Sequence, residues 1–199
     1  MAALWMARCG VNARIIDTNI TKTYRGRADG LQPRTTEILA SFGIAKDILE
    51  TACSVHESTF WADDGEGGIQ HVVRVSEWSP DLGRYPLITT CQGRVERCML
   101  DGMKHYNNLE VERGVKAVDL EVDESTVEDL DAFPIAVTVH HLPEEELLEA
   151  STHQTIPQPG DFNYEAEDDA YRTRHLSGKE GSNETIRAKY VIGADGARS

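Results

Sequence analysis

Apolar residues recur along this chain with two periods, and the switches between them predict its elements. Residues 2–9 are rich in Ala, Leu and Met and predict a helix, with Gly10 placed to stop it. From Val11 to Asp17 the apolar positions Val11, Ala13, Ile15 and Ile16 close on an acid, which predicts a buried parallel strand. Thr18 to Gln32 is polar and reads as a loop. Pro33 suits the first turn of a helix, where its missing N–H is not needed. Ile38, Leu39 and Phe42 give that helix one apolar face before Gly43, and a second short helix is expected over Ala45 to Ala52. Residues 55–75 alternate loosely around glycines 65, 67 and 68, which predicts a hairpin. Val95, Cys98, Met99 and Met103 share one face of a helix expected from Arg94 to His105. Period two then returns in Val118, Leu120 and Val122, again in Ile135, Val137 and Val139, and last in Ile186, Ala188, Tyr190 and Ile192. The final strand is expected to run into Gly193-Ala194-Asp195-Gly196.

Composition narrows the class. With 199 residues, 40% hydrophobic and 27% charged, the chain reads as one soluble globular domain of ordinary size. Its apolar runs are far short of the ~20 residues that cross a bilayer. The opening MAALWMARCG has no basic stretch before it and no small-residue cleavage site, which predicts no signal peptide. Cys9, Cys53, Cys91 and Cys98 form no CxxC pair and are read as reduced thiols in a cytoplasmic protein. No His, Cys and acid spacing suits a metal, and His140-His141 is read as a strand end.

The net charge of −14 is local. Sixteen of the 34 acids lie between Ala117 and Tyr171, a stretch without Lys or Arg; the remaining eighteen face 20 bases. This argues against nucleic acid as a partner. Residues 142–183 hold most of that run with Pro143, Pro157 and Pro159, and are expected to be an acidic, flexible insertion.

An acid at the end of a strand that follows a helix and a tight turn is placed to accept hydrogen bonds from a nucleotide ribose. An acid at a strand end is more often just a surface residue, and Asp17 alone does not decide. Three further segments bear on it: Gly26-Arg27-Ala28-Asp29-Gly30-Leu31-Gln32-Pro33-Arg34-Thr35 before a helix, Cys91-Gln92-Gly93-Arg94-Val95-Glu96 at the start of another, and Tyr190-Val191-Ile192-Gly193-Ala194-Asp195-Gly196-Ala197-Arg198-Ser199. In this order they resemble the phenol 2-monooxygenase branch of the class A flavoprotein aromatic hydroxylases, across nearly the whole chain outside the acidic segment.

The resemblance implies an α/β fold: a partial doubly wound, Rossmann-like FAD-binding domain with an added antiparallel β segment. Residues 1–54, 92–122 and 184–199 would form the nucleotide-binding parts and 55–91 the substrate-side segment. It also implies roles. Asp17 would hold the adenosine ribose of FAD. Arg27 and Gln32 would pass along the flavin and its ribityl chain, Gln92 and Arg94 would contact the ribose and ribityl region, and Asp195 and Gly196 would lie near the pyrophosphate. Asp29 would be the active-site acid beside the substrate hydroxyl. NADPH would reduce FAD, O2 would form a flavin hydroperoxide, and oxygen would enter a phenol-like ring ortho to its hydroxyl. Each residue also has an ordinary reading: Asp29 and Asp195-Gly196 as turn residues, Arg34 as a helix-surface charge, and Trp5, Trp61 and Trp78 as packing.

The family's GxGxxG loop and its later GD motif are not found in the 199 residues. The expectation is therefore a fragment, inactive by itself, of an enzyme for which homodimerisation stays open. Two other readings remain: a non-catalytic remnant whose acidic segment binds a basic partner, and a nicotinamide dehydrogenase, which leaves the QGRVE segment and the late GADG unexplained.

Overall fold

The computed structural model describes residues 1–23, 29–79, 81, 83–126, 128–151 and 178–196, with 148–151 as backbone only. Most of the expected acidic insertion, 152–177, lies outside the described residues. The described chain divides into two compact units, one of Met1–Ala13 and Lys22–Glu110, the other of Arg14–Thr21 and the described residues from Val111 onward.

The first unit is built on helices. The helix α1 (Ala2–Arg8) packs on α4 (Gln92–Asn107), with Leu4 and Ala7 buried from one side and Val95 and Met103 from the other. The helices α2 (Pro33–Ser41) and α3 (Ala45–Leu49) add the fully buried Leu39 and Ile48. Pro33 occupies the first turn of α2, as its sequence position predicts. Trp5 meets Phe42 edge to face at 4.7 Å, and the Tyr106 hydroxyl donates to the Phe42 carbonyl at 2.7 Å, which fixes the turn after α2. Helix α4 is longer at both ends than the spacing of Val95 to Met103 predicts. It stops at Asn108, whose left-handed φ of 50° turns its N–H back onto the Lys104 carbonyl.

Two small antiparallel sheets complete this unit. In one, β6 (Leu87–Thr89) lies between β2 (Gly30–Leu31) and β3 (Cys53–Val55). The other is the expected hairpin, β4 (Glu57–Asp63) with β5 (Ile69–Ser76), bulged between Phe60 and Trp61.

In the second unit β1 (Ile15–Asp17) pairs in parallel with β7 (Val111–Arg113). The strand expected from Val11 begins only at Ile15: the Val11 N–H is drawn back to the Met6 carbonyl at 2.9 Å, and Val11 is exposed. An antiparallel sheet of order β10-β9-β8 follows, from β10 (Asn183–Ala188), β9 (Ile135–His141) and β8 (Val115–Val122). Val115, Val137 and Val139 form its buried cluster, with Ile16, Ile135 and Ile186 packed against them.

Three expectations change here. The period-two strand of Val118, Leu120 and Val122 carries a bulge between Ala117 and Asp119 that shifts its register, and these three residues are half exposed. The last strand ends at Ala188, opposite Ile135, so Tyr190 and Ile192 are exposed beyond the sheet. Its partner β9 starts just after Pro134, which has no N–H to extend the ladder. The acidic segment opens with α5 (Glu144–Ser151), a helix with three glutamates in its first turn, where the helix dipole favours negative charge.

Candidate functional site

The pairing of β2 with β6 builds the site of the first unit. Gly30 lies opposite Thr89, and one step further the Thr90 N–H donates to the Asp29 carbonyl at 2.7 Å. Thr90 precedes Cys91, the N-cap of α4, so the loop ending in Asp29 is fastened to the start of that helix. A second tie comes from α4 itself, where Glu96 Oε2 accepts the Thr23 N–H at 3.0 Å. Asp29 is thereby tied beside the segment that carries Gln92 and Arg94, with Gln32 three residues beyond Asp29 as N-cap of α2. Arg27 lies outside the described residues.

The chemistry of this edge is polar and open to a ligand. Among the described residues the N-cap residues Cys91 of α4 and Gln32 of α2 make no side-chain cap hydrogen bond to their helices. The Gln92 Oε1 atom is buried and has no hydrogen-bond partner among the described residues, nor has the Oγ1 atom of Thr90 beside it. A buried acceptor without a donor costs about 1–3 kcal/mol, which a ligand hydroxyl would recover. The Asp29 carboxylate is exposed and makes no hydrogen bond or ion pair with the described residues, so it is accessible to a ligand.

Asp17, Asp195 and Gly196 belong to the second unit. The parallel register sets Asp17 beside Arg113, and Arg113 Nη1 donates to Asp17 Oδ2 at 2.7 Å and to the Thr21 carbonyl at 3.1 Å. Asp17 Oδ1 accepts the backbone N–H of Asn19 at 2.9 Å and its Nδ2 at 3.0 Å. The Arg113 side chain is 5% exposed and that of Asp17 34%, so the carboxylate shows an outer edge over a buried cation. Asp195 and Gly196 are both exposed, on the stretch after β10.

Arg113 is the group that sequence reasoning missed. It is 96 residues from Asp17 and only the β1–β7 register brings them together. Thr90 was also missed; its position just before the QGRVE segment is the only trace of it in the sequence.

Each unit by itself offers an acceptor for a hydroxyl donor: the outer edge of the Asp17 carboxylate in the second, and the unsatisfied Gln92 Oε1 in the first. Among the described residues no helix is long and apolar enough to cross a membrane.

Comparison with known proteins agrees. Residues 1–130 and 145–199 match the family described as FAD binding domain. The chain is 28% identical over 199 residues to the FAD-dependent monooxygenase ankC of Aspergillus thermomutatus, an alignment covering 100% of this chain and 28% of that protein. It is 26% identical over 186 residues to phenol 2-monooxygenase fsqG of Aspergillus fumigatus, covering 94% of this chain and 24% of the relative. The crystal structure of the flavin-dependent monooxygenase PieE in complex with FAD and substrate superposes with a TM-score of 0.65 at 21% identity, over 99% of this chain and 28% of that one. The chain thus spans about a quarter of the length of these proteins. Matched over most of its residues, the chain belongs to the FAD binding domain family, that of the class A flavoprotein aromatic hydroxylases, which are FAD-dependent monooxygenases.

Proposed function

We propose that this chain is the nucleotide-binding part of an NADPH-using, FAD-dependent monooxygenase that hydroxylates a phenol-like aromatic, and that it is inactive by itself. The observation that carries the reading is the fastening of Asp29 to the start of α4, where Gln92 Oε1 is buried without a hydrogen-bond partner among the described residues. The relative named as a phenol 2-monooxygenase supports the substrate class.

In this reading FAD supplies the redox chemistry that activates O2, with NADPH as the source of electrons. The protein residues bind and orient. Asp17 accepts a ribose hydroxyl, Gln92 and Arg94 contact the ribose and ribityl region, Arg27 and Gln32 line the ribityl side, and Asp195 with Gly196 faces the pyrophosphate. Asp29 Oδ accepts the proton of the substrate phenol, which makes the ring electron-rich; a positioned general base contributes about 10²–10⁴-fold. The 199 residues contain no GxGxxG loop and so lack that source of backbone N–H groups for the pyrophosphate. FAD is therefore held weakly by this chain. Localisation is cytoplasmic in this reading.

Titrating FAD into the purified chain and following flavin fluorescence tests this. The expected result is weak, saturable binding, no flavin colour after purification and no phenol-dependent oxygen uptake. Gln92→Leu is expected to weaken FAD about tenfold, the equivalent of one hydrogen bond of about 1.4 kcal/mol. The same change is expected to leave the chain as stable or more so, because a buried unsatisfied acceptor is removed. Unchanged FAD affinity with lowered stability would make Gln92 a structural residue. Stoichiometric flavin in the purified chain would overturn its inactivity.

A further inference from the structure

We propose that this chain pairs with a second copy of itself along β5, antiparallel about a twofold axis between Val72 and Val73. Two β4–β5 hairpins thereby join into one four-stranded sheet.

Strands β4 and β5 form a sheet of two, and among the described residues no third strand pairs with either outer edge. A two-stranded hairpin is marginal by itself, and the unpaired N–H and C=O groups of an edge strand are a template for another strand. Every residue of β5 is exposed. Its sequence, IQHVVRVS, holds four β-branched apolar residues and no Pro, Gly or acid. Its one Lys or Arg, Arg74, is ion-paired with Glu57 inside the hairpin. High β propensity with little net charge is what strand addition requires. Strand β4 differs, because it begins with Glu57 and ends with Asp63. Pairing β4 end to end with another β4 sets Glu57 opposite Asp63, and like charges directly opposite are destabilising. Charge therefore selects β5 as the self-pairing edge.

The bulge fixes the register. Val73 and Val75 lie opposite Phe60 and Ser58, and Gln70 lies opposite Ala62, so these residues share one face. Arg74 and His71 lie opposite Thr59 and Trp61, on the other face. A regular strand of eight residues, paired end to end with its own copy, would set opposite faces against each other. The extra residue at the bulge removes that conflict. Gln70 then meets the partner's Val75 on one face, His71 meets the partner's Arg74 on the other, and Val72 and Val73 meet at the axis. A second copy carries the same bulge at the same place, which a straight strand does not. The apolar area is small: Val72 is 58% exposed, Val73 43% and Val75 40%. It falls short of the roughly 800 Å² that each partner gives to a stable complex. The dimer is therefore weak and reversible, and the dilute chain is monomeric with its hairpin solvated.

Sedimentation of the full chain over a concentration series tests this. The expected result is a reversible monomer–dimer equilibrium with Kd on the order of 10–100 μM. Hydrogen exchange of the β5 amides is expected to slow as concentration rises, and that of the β9 amides to stay unchanged. Val75→Glu is expected to weaken association about tenfold, and adding Gln70→Lys to recover most of that loss, because the two positions face each other across the axis. Within one copy they stand ~17 Å apart along the strand, so the recovery comes from the partner. Leu120→Glu, at an equally exposed apolar position of β8, is expected to leave the dimer unchanged. A chain that stays monomeric at about 1 mM, tenfold or more above the expected Kd, overturns the proposal. So does a dimer whose β5 amides gain no protection, a loss on Leu120→Glu equal to that on Val75→Glu, or a folded double variant without recovery. The concentration series and the β5 exchange of the natural chain decide the pairing even where a variant fails to fold.

Discussion

Two antiparallel sheets of this protein look alike in sequence and differ in what covers them. Both β4–β5 and β8–β9–β10 alternate apolar and polar residues. In the second sheet the alternation ends in a buried cluster, with Val139 fully buried. In the hairpin one face gathers Phe60, Val73 and Val75, and all three are exposed, from 40% for Val75 to 53% for Phe60. The other face carries the Arg74–Glu57 ion pair. Period two therefore tells which side chains share a face; whether that face is covered depends on partners distant in the chain. For β8–β10 those partners include Ile16, about a hundred residues before Val115 in sequence.

The largest expected difference tests that contrast directly. Val139→Ala removes two buried methyl groups and leaves a cavity, at a cost of about 2–3 kcal/mol. Val73→Ala in the hairpin makes the same chemical change at 43% exposure and is expected to cost about 0.5 kcal/mol or less. Hydrogen exchange of the β9 and β5 amides measures each locally. Equal costs at the two valines would mean that the hairpin face is buried in solution.

A smaller difference is expected at two glycines with similar backbones. Gly114, between β7 and β8, has φ of +70°, and a Cβ there would lie 2.8 Å from Cδ2 of the buried Leu147. Gly65, in the β4–β5 turn, has φ of +80° with nothing within 4 Å. Left-handed backbone costs a residue with a Cβ about 1–2 kcal/mol, so Gly65→Ala is expected to cost about 1 kcal/mol. Gly114→Ala adds overpacking against Leu147, for about 2 kcal/mol in all. Thermal unfolding of the two variants gives the comparison, and equal shifts would show that Leu147 yields freely.

How far the sequence carried the fold follows the same division between local and distant causes. Helices α2 and α4 were legible because the spacing of Leu39 and of Val95 to Met103 encodes their buried faces within a few turns. The hairpin was legible from its alternation and glycines. The two-residue strand β2 was not, since it exists only because β6 pairs with it more than fifty residues later. Nor was the end of β10: the alternation continues to Ile192, but the partner strand begins at Ile135 and has no more ladder to offer. The site divides similarly. The kinds of residue at Asp17, Asp29 and Gln92 suggest a nucleotide, whereas the tie from Asp29 to Thr90 and the pairing of Asp17 with Arg113 are products of register.

The smallest of the three effects concerns acids on the two sheets, and pH separates it from packing. In the hairpin turn Asp64 accepts the N–H groups of Glu66 at 2.8 Å and Gly68 at 2.9 Å, which hold its carboxyl below the usual range, and all of its partners are local. Glu184 on β10 draws its partners from far along the chain. It accepts from Arg14 Nη1 at 2.6 Å, pairs with His141 Nε2 at 3.1 Å and accepts from Lys179 Nζ at 3.2 Å. Arg14 is the main cause that holds the Glu184 carboxyl well below the ordinary carboxylate range, followed by His141 and Lys179. A carboxylate with a depressed folded pKa contributes stability that is present above its unfolded value of about 4.3 and is lost as pH falls through the folded value. Arg14 also grips Glu112 on β7, so Glu184 links β10 to the strand pair that carries Asp17. The side chains are about one-third exposed, so Glu184→Gln is expected to cost only about 1 kcal/mol at neutral pH. That cost should shrink below about pH 4, where the natural glutamate is itself becoming neutral in the unfolded chain and then in the folded one. Urea midpoints of the natural chain and the variant, measured from pH 7 to about pH 3, should converge on the acid side. A difference that stays constant across that range would assign the loss to altered packing at β10 and would remove the long-range ion pairs as a source of its stability.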